Sequence, residues 1–243
     1  CLPNLVNSRP QQLPLSDVTL ASGARTHALF DSGGTVYACG SGDAGELGNG
    51  STASSSTPTT VMGLPNGVKV TALTSSWEGS GALLANGHYY NWGYNAAGQL
   101  GNGSTVNSAV PVRVDLPGSV RQVFQGGSGP KNGQSIAIVE GGETWTWGNN
   151  DRGQLGIGSV TSSPVPVKVR VPAGVTFVAV SSGGYASYGI GRTGRLWAWG
   201  DNASGQLGIG SSGHRATLPV DVGIHLTQVS STAQNVAGFE EHG

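Results

Sequence analysis

A ten-residue motif occurs four times in this chain of 243 residues. Its pattern is Trp-Gly-x-Asn-x-x-Gly-Gln-Leu-Gly, and the first copy is degenerate because it begins with cysteine. The copies are Cys39–Gly48, Trp92–Gly101, Trp147–Gly156 and Trp199–Gly208. They recur at intervals of about fifty residues, which is longer than a helical hairpin repeat needs and is typical of propeller blades or another β-array.

Around each motif the same order of predicted strands returns. A first strand is expected at Val18–Leu20, Val70–Leu73, Val120–Phe124, Phe177–Val180 and Leu226–Val229. After a Gly/Ser-rich loop, a second strand is expected at Ala28–Phe30, Gly81–Leu84, Ser135–Val139 and Ala186–Ile190. Turn sequences such as Asn86-Gly87 follow the second strands, and they predict hairpins because tight hairpin turns need positive φ.

A third predicted strand leads into each motif and carries a pair of residues two positions apart. The pairs are Tyr37/Cys39, Tyr90/Trp92, Trp145/Trp147 and Trp197/Trp199. This spacing puts both members on one face of a strand, so we interpret them as core between neighbouring sheets. A proline-bearing segment follows, as at Val110–Val112, and predicts an edge strand because proline cannot donate to a β-ladder.

We interpret the motif itself as structural. The glycine after the aromatic residue lets the backbone turn sharply, and the middle glycine is expected at positive φ, as at Gly98, Gly153 and Gly205. The leucines are expected to enter the core: Leu47, Leu100, Leu155 and Leu207. The residue before each leucine is expected to hydrogen-bond backbone groups of the turn: Gln99, Gln154 and Gln206, with Glu46 as the variant.

Composition favours a β-rich protein and disfavours some classes of partner. The chain has 42 glycines, a net charge of −1, and no run of Lys or Arg that would neutralise phosphates. We therefore expect no binding of nucleic acid by charge. No segment approaches the roughly twenty apolar residues of a membrane span.

The two cysteines, Cys1 and Cys39, leave several interpretations open. Cys39 replaces the motif tryptophan and is expected to be a small buried core residue, with a disulfide to Cys1 as the alternative. An N-terminal cysteine followed by a polar segment also suggests a bacterial lipoprotein. With the low lysine content, this favours an extracellular or cell-surface bacterial protein, while a cytoplasmic location stays open.

The motif resembles the repeat of the regulator of chromosome condensation family. The resemblance implies an all-β fold, a β-propeller of that type, partial at about four to five blades if this chain is alone. Residues 1–14 are expected to be a tether or the end of a preceding repeat, and 15–243 one repeat-built domain. Its repeats span about 15–67, 68–118, 119–174 and 175–224, with a partial repeat at 225–243.

The candidate functional residues lie in the loops between the first and second strands. The sequence has no catalytic motif, and its five histidines lack metal-ligand spacing, so we expect no enzyme, metal or cofactor. In a propeller, equivalent loops gather on one rim, and varied residues there suit a binding surface. The predicted partner-binding residues are Arg25, His27, Trp77, Glu78, Lys131, Asn132, Tyr185 and Asn235. His27 is also interpreted as a hydrogen-bonding brace of its loop.

The leading hypothesis is a non-enzymatic propeller scaffold that binds a protein of unknown identity through these loops. An alternative is a self-assembling structural or surface protein whose open blade ends are completed by other chains. The resemblance also implies guanine-nucleotide exchange on a small GTPase, although no exchange residue can be matched to this sequence. A carbohydrate-binding hypothesis depends on Trp77 and Tyr185 alone.

Overall fold

The computed structural model describes residues 18–24, 26–127, 129, 132–231 and 236–239. In this part of the chain all regular secondary structure is β-strand, arranged as four four-stranded sheets and one two-stranded hairpin. Every pairing of strands is antiparallel, and each four-stranded sheet follows the order of its strands along the chain.

The strand boundaries follow the repeats. The first sheet contains β1 (Val18–Gly23), β2 (His27–Ser32), β3 (Thr35–Gly40) and β4 (Ser55–Thr60). The second contains β5 (Val70–Ser75), β6 (Gly79–Leu84), β7 (Tyr89–Gly93) and β8 (Ser108–Arg113). The third contains β9 (Val120–Gly126), β10 (Gln134–Val139), β11 (Thr144–Gly148) and β12 (Ser163–Lys168). The fourth contains β13 (Phe177–Ser182), β14 (Ala186–Gly191), β15 (Arg195–Gly200) and β16 (Ala216–His225), and the hairpin contains β17 (Gln228–Ser231) and β18 (Val236–Phe239).

The predicted hairpins and edge strands are confirmed. Gly33 and Gly34 turn between β2 and β3 with φ of 60° and 80°, and Gly87 turns between β6 and β7 with φ of 78°. The proline-bearing strands β4, β8, β12 and β16 are each last in their sheet, where a missing N–H costs no ladder bond. The first strand of the fifth repeat, predicted at Leu226–Val229, is found as β17 at Gln228–Ser231.

The chain divides into two compact units. The first is Cys1–Tyr94 with Val106–Arg113, and the second is Asn95–Thr105 with Val114–Gly243. In the first unit a core cluster joins residues of its two sheets, including Leu29, Leu47, Leu84 and Trp92. In the second unit one cluster includes Ile136, Phe177 and Trp199, and another includes Tyr188, Leu207 and Leu226.

All four motifs adopt the same turn. The middle glycines, Gly45, Gly98, Gly153 and Gly205, have φ between 76° and 89°. The side-chain oxygen of the next residue accepts a backbone N–H two residues earlier, at 2.8 Å for Glu46 and 2.9 Å for Gln154. The four motif leucines are at most 1% exposed. The predicted structural roles of glycine, glutamine and leucine in the motif are therefore confirmed.

The motif tryptophans connect consecutive repeats within each unit. In the first unit the Trp92 indole Nε1–H donates to the Glu46 carbonyl at 2.9 Å. In the second unit, Trp147 donates to the Gln99 carbonyl at 3.0 Å and Trp199 to that of Gln154 at 2.9 Å. These three side chains are fully buried, whereas their partners in the aromatic pairs are only partly buried. Each indole thus fills the core and also satisfies a carbonyl of the preceding motif.

Cys39 occupies the tryptophan position of the first repeat. It is fully buried, as predicted for a core residue, and it is disulfide-bonded. Cys1, the partner proposed from the sequence, lies outside the described residues.

No helix in the described part of the chain is long and apolar enough to cross a bilayer.

Replacing Trp147 with alanine should lower the free energy of unfolding by about 3–5 kcal/mol, because the substitution leaves a cavity and an unpaired Gln99 carbonyl. Urea unfolding followed by circular dichroism measures this difference. The partly exposed Trp77 is the matched control, and Trp77→Ala should change stability little. An equal loss for both variants would show that the two indoles are equally part of the core.

Candidate functional site

The loop before each second strand is held at its end by the same backbone hydrogen bond. The carbonyl of the last loop residue accepts the N–H of the third residue of the motif. The donor and acceptor pairs are Ser41 to Thr26, Tyr94 to Glu78, Asn149 to Gly133 and Asp201 to Tyr185, at 2.8–2.9 Å. A Cβ on the intervening motif glycines would lie between 2.3 and 2.6 Å from these carbonyl oxygens. Glycine is therefore required at Gly40, Gly93, Gly148 and Gly200.

In the first unit the first two of these loops lie side by side. The Thr26 hydroxyl donates to the Trp77 carbonyl at 2.6 Å, and the hydroxyls of Ser22 and Ser75 are 2.8 Å apart. Trp77 and Glu78 are partly exposed at this position. The structure therefore brings the first and second loops together as one surface.

His27 is a buried brace beneath these loops. It is 4% exposed, and its Nε2 lies 2.8 Å from the Ser80 hydroxyl. That hydroxyl donates to the Glu46 carbonyl at 2.7 Å, the same oxygen that accepts the Trp92 indole. Burial lowers the pKa of His27 to about 4, so the imidazole is neutral near pH 7. The bracing role predicted for His27 is thus observed, with its ring held away from solvent.

Carboxylates gather beside Glu78. The pKa of Glu78 is raised above its usual value, mainly because the carboxyl is partly buried. The nearby charges of Glu46 and Asp43 raise it further. Glu46 is fully buried, and its Oε1 has no hydrogen-bond partner among the described residues. The surface near Trp77 is therefore acidic, a property that suits a basic group on a partner.

In the second unit, the loops before β10 and β14 also lie together. The Gln134 side-chain amide donates to the Gly183 carbonyl at 3.2 Å. Asn132 is 6% exposed, and its Oδ1 accepts the Gly129 N–H at 2.9 Å, so this side chain shapes its loop from within. Tyr185 is partly exposed. Within the described residues, Gln134 Oε1 and Ser182 Oγ are buried without a partner near this loop pair.

Three predicted site residues, Arg25, Lys131 and Asn235, lie outside the described residues. Asp43 and Glu46 were not predicted to belong to the site. The signal for Glu46 was present in the sequence, because it is the one acidic residue where the other motifs have glutamine.

No group of three or more His, Cys, Asp or Glu side chains in the described ranges could hold a metal ion.

A separate groove of about 690 Å³ lies in the second unit, at the hairpin-turn end of β10 and β11. Its lining includes Glu143, Lys168 and the buried Thr144, and the first two form an exposed ion pair at 2.6 Å. The length of β10 separates this groove from the loop that precedes that strand.

The sequence matches the model of the regulator of chromosome condensation (RCC1) repeat over residues 33–83, 86–129, 141–190 and 193–237. The chain belongs to the RCC1 repeat family. The human E3 ubiquitin-protein ligase HERC2 is 31% identical over 185 residues, which cover 74% of this chain and 4% of that protein. The Arabidopsis thaliana ultraviolet-B receptor UVR8 is 28% identical over 200 residues, covering 81% of this chain and 44% of the receptor.

Solved RCC1-type structures confirm the β-propeller fold class. Human WBSCR16 superposes with a TM-score of 0.79 at 25% identity, covering 94% of this chain and 59% of that chain. Prp20p of Saccharomyces cerevisiae gives a TM-score of 0.76 at 21% identity, covering 93% of this chain and 57% of that chain. The RCC1 repeats described here thus span less than two thirds of each of these relatives.

The buried His27 should make the stability of the first RCC1 repeats depend on pH. Its pKa is about 4 in the folded state and about 6.5 when exposed, so the unfolded state binds the extra proton between these values. The contribution of the neutral His27 to the free energy of unfolding should be fully present above pH 6.5. It should fall by about 3 kcal/mol as the pH drops to 4. Urea unfolding at half-unit pH intervals measures this loss. A His27→Gln variant should flatten the profile in this window, and an unchanged slope would contradict the assignment.

Replacing Glu46 with glutamine should stabilise the protein by about 1 kcal/mol at pH 7, because a neutral amide is less costly to bury than a carboxylate with an unpaired oxygen. It should also return the pKa of Glu78 toward its usual value, since the Glu46 charge contributes to the shift. Thermal unfolding and an NMR titration of Glu78 measure the two effects. The reciprocal change Gln154→Glu should destabilise, because the Gln154 amide donates to Asn149 at 2.6 Å.

Proposed function

We propose that this protein is a non-enzymatic scaffold that binds a protein partner through the loops before its second strands. The observation that carries the proposal is the shared frame of these loops: in each repeat the same backbone bond and the same close-packed glycine hold the loop end. The loop sequences vary on this constant frame. A rigid frame lowers the entropy lost on binding, and varied loops supply specificity.

Trp77 and Glu78 are the loop residues best suited to contact a partner. A partly exposed indole beside several carboxylates can contact the aliphatic part of a lysine or arginine while the carboxylates bind its charge. Tryptophan is also frequent among residues that dominate binding energy. We therefore propose that the first two loops bind a basic segment of the partner protein.

The relatives support a binding role. Prp20p has a crystal structure described together with its binding to Gsp1p and histones, and yeast RCC1 has been solved bound to Kap60. Because this chain covers only 4% of HERC2, the ligase activity of that protein is not transferred to it. The extracellular or cell-surface location also stays a proposal, which fractionation of the source cells would test.

Two substitutions test the loop surface. Trp77→Ala and Glu78→Lys should each weaken partner binding by tenfold or more, since a central aromatic or charged contact commonly contributes about 2 kcal/mol. Neither should change the melting temperature by more than a few degrees. The partner would be isolated with the wild-type chain by cross-linking, purified, and titrated against each variant by calorimetry.

Glu140→Lys is the matched charge-reversal control for Glu78→Lys. Glu140 is exposed at the β10–β11 turn, at the other end of β10 from the loop that precedes that strand. This variant should bind as tightly as the wild type. Equal affinities for all three variants would reject the loop surface as the binding site.

A further inference from the structure

The groove at the β10–β11 turn contains a polar side chain that its own sheet does not satisfy. Thr144 lines this groove and is 2% exposed, and its Oγ1 has no hydrogen-bond partner among the described residues. Buried hydroxyls in proteins are nearly always hydrogen-bonded, so an unpaired one points to a partner other than the chain itself. The groove therefore offers a hydrogen-bond donor for a ligand.

The other three sheets have no such unpaired hydroxyl at this position, which directly precedes the first member of the aromatic pair. They have Val36, Tyr89 and Leu196 there, and all three are buried. The Tyr89 hydroxyl lies 2.7 Å from the Thr74 hydroxyl of the same sheet, so it is satisfied. Thr144 is thus particular to the third repeat, and the fold does not require a polar residue at this place.

Apolar side chains form the inner wall of the groove. Val169 and Phe177 belong to a buried core cluster, and Val171 and Val175 pack against it. The Val171 N–H donates to the Val169 carbonyl at 2.9 Å. The Val175 N–H donates to the Pro172 carbonyl at 3.1 Å. Because backbone bonds hold this wall, it is largely formed before an apolar ligand binds.

The rim of the groove carries one unpaired positive charge. Lys168 is paired with Glu143, whose Oε2 also accepts the Trp145 indole N–H at 3.3 Å. Arg170 is exposed, lines the groove and has no ion-pair partner among the described residues. Its guanidinium lies beside Gly158, on a flexible side chain that can turn toward a ligand.

Two further charges lie at this end of the third and fourth sheets. The Arg192 N–H donates to the carbonyl of Thr176, a residue of the groove lining, at 3.0 Å. Glu140 precedes Gly141 at the β10–β11 turn. These two charges offset each other, so the excess at the groove is positive and comes from Arg170.

The arginine is also particular to the third repeat. The Arg170 N–H donates to the carbonyl of the last motif glycine, and Met62 makes the same bond in the first repeat. In the second and fourth repeats, Asp115 and Gly223 follow the valine that lies beside the last motif glycine, as Arg170 follows Val169. Among these four positions, a cation therefore occurs only beside the groove.

The backbone brings the hydroxyl and the cation to the same part of the groove. The Thr144 carbonyl accepts the Val169 N–H at 2.9 Å, so Thr144 lies opposite the residue that precedes Arg170. Rotation about the Cα–Cβ bond of Thr144 moves its hydroxyl between staggered positions, through which it can meet a ligand oxygen. Guanidinium and hydroxyl donors together suit a carboxylate.

We propose that this groove binds a small organic carboxylate with an apolar body. The carboxylate pairs with Arg170 and accepts the Thr144 hydroxyl, and the apolar body covers Val171, Val175 and Phe177. The volume of about 690 Å³ is in the range of small-molecule sites in proteins. The site is distinct from the surface at Trp77 and Glu78, which belongs to the first unit.

The probes are hexanoate and phenylbutyrate, each compared with its neutral amide. Titration of the isotope-labelled full chain, followed by the amide NMR signals of Gly141, Gly142, Val171 and Val175, should show saturable shifts with at least one acid. The amides should bind about tenfold more weakly or worse, because they cannot form the ion pair. Equal affinity of acid and amide would overturn the proposal, as would the absence of saturable shifts in this groove with both acids.

Arg170→Met removes the charge and keeps a long side chain like that of Met62 in the first repeat. It should weaken binding of the acids about tenfold or more and leave the amides unaffected. Arg113→Met is the matched control, because Arg113 is exposed at the end of β8 in the first unit. The control should bind as the wild type does. Equal effects of the two substitutions would overturn the role of Arg170.

Thr144→Val keeps the shape of the side chain and removes the hydroxyl. Since the hydroxyl has no partner in the fold, the variant should melt no lower than the wild type. It should nevertheless bind the acids several-fold more weakly. A lower melting temperature would show that the hydroxyl serves the fold, and unchanged binding would show that it does not contact the ligand. Either result would overturn its place in the site.

Glu143→Gln removes the carboxylate that competes for Lys168, and the amide oxygen can still accept the Trp145 indole. Binding of the acids should tighten, whereas weaker binding would contradict the charge argument. Trp77→Ala and Glu78→Lys should bind the acids as the wild type does. A loss in these two variants would move the site to the loop surface and overturn the groove, so the two proposals fail independently.

Discussion

The hydrogen bond from a buried indole to the carbonyl of the preceding motif is the constraint on which this structure depends. A fully buried carbonyl without a donor would be costly, and a fully buried tryptophan needs an acceptor for its N–H. The bond satisfies both requirements across consecutive repeats, at 2.9–3.0 Å in the three copies that have tryptophan. The last motif glycine is part of the same contact, since any side chain there would meet the indole. Each repeat is therefore stabilised by its contact with the next repeat along the chain.

The same motif also determines where binding can evolve. The residue after its first glycine donates a hydrogen bond to the last carbonyl of the loop before the second strand. This end of the loop is therefore fixed, while the other loop residues are free to vary. At Trp77 and Glu78 this freedom produces an aromatic and acidic surface above a buried histidine. The brace formed by His27 and Ser80 ends on the carbonyl that binds Trp92. The candidate surface and the contact between the first two repeats therefore share one buried network.

Much of the fold could be predicted because the motif is repeated and its glycines mark positions of positive φ. Strand order, the hairpin turns, the buried leucines and the side-chain bonds of Gln154 and Glu46 all follow from local sequence. The candidate site was less predictable. His27 and Asn132 were chosen because they lie in variable loops, yet both side chains are turned into the protein. Their burial depends on Ser80 in the next repeat and on the Gly129 backbone, and neither contact can be derived from loop composition.

The sequence by itself determined the repeat, the four-stranded sheets and the core positions, because spacing of two residues in strands and positive φ at glycine are local properties. Only the tertiary structure decided which carbonyl each indole reaches, why Glu46 bears an unpaired oxygen, and that residues Asn95–Thr105 belong with the repeat that follows them. These outcomes depend on contacts between segments about fifty residues apart, where burial and hydrogen-bond partners are set by packing rather than by local sequence.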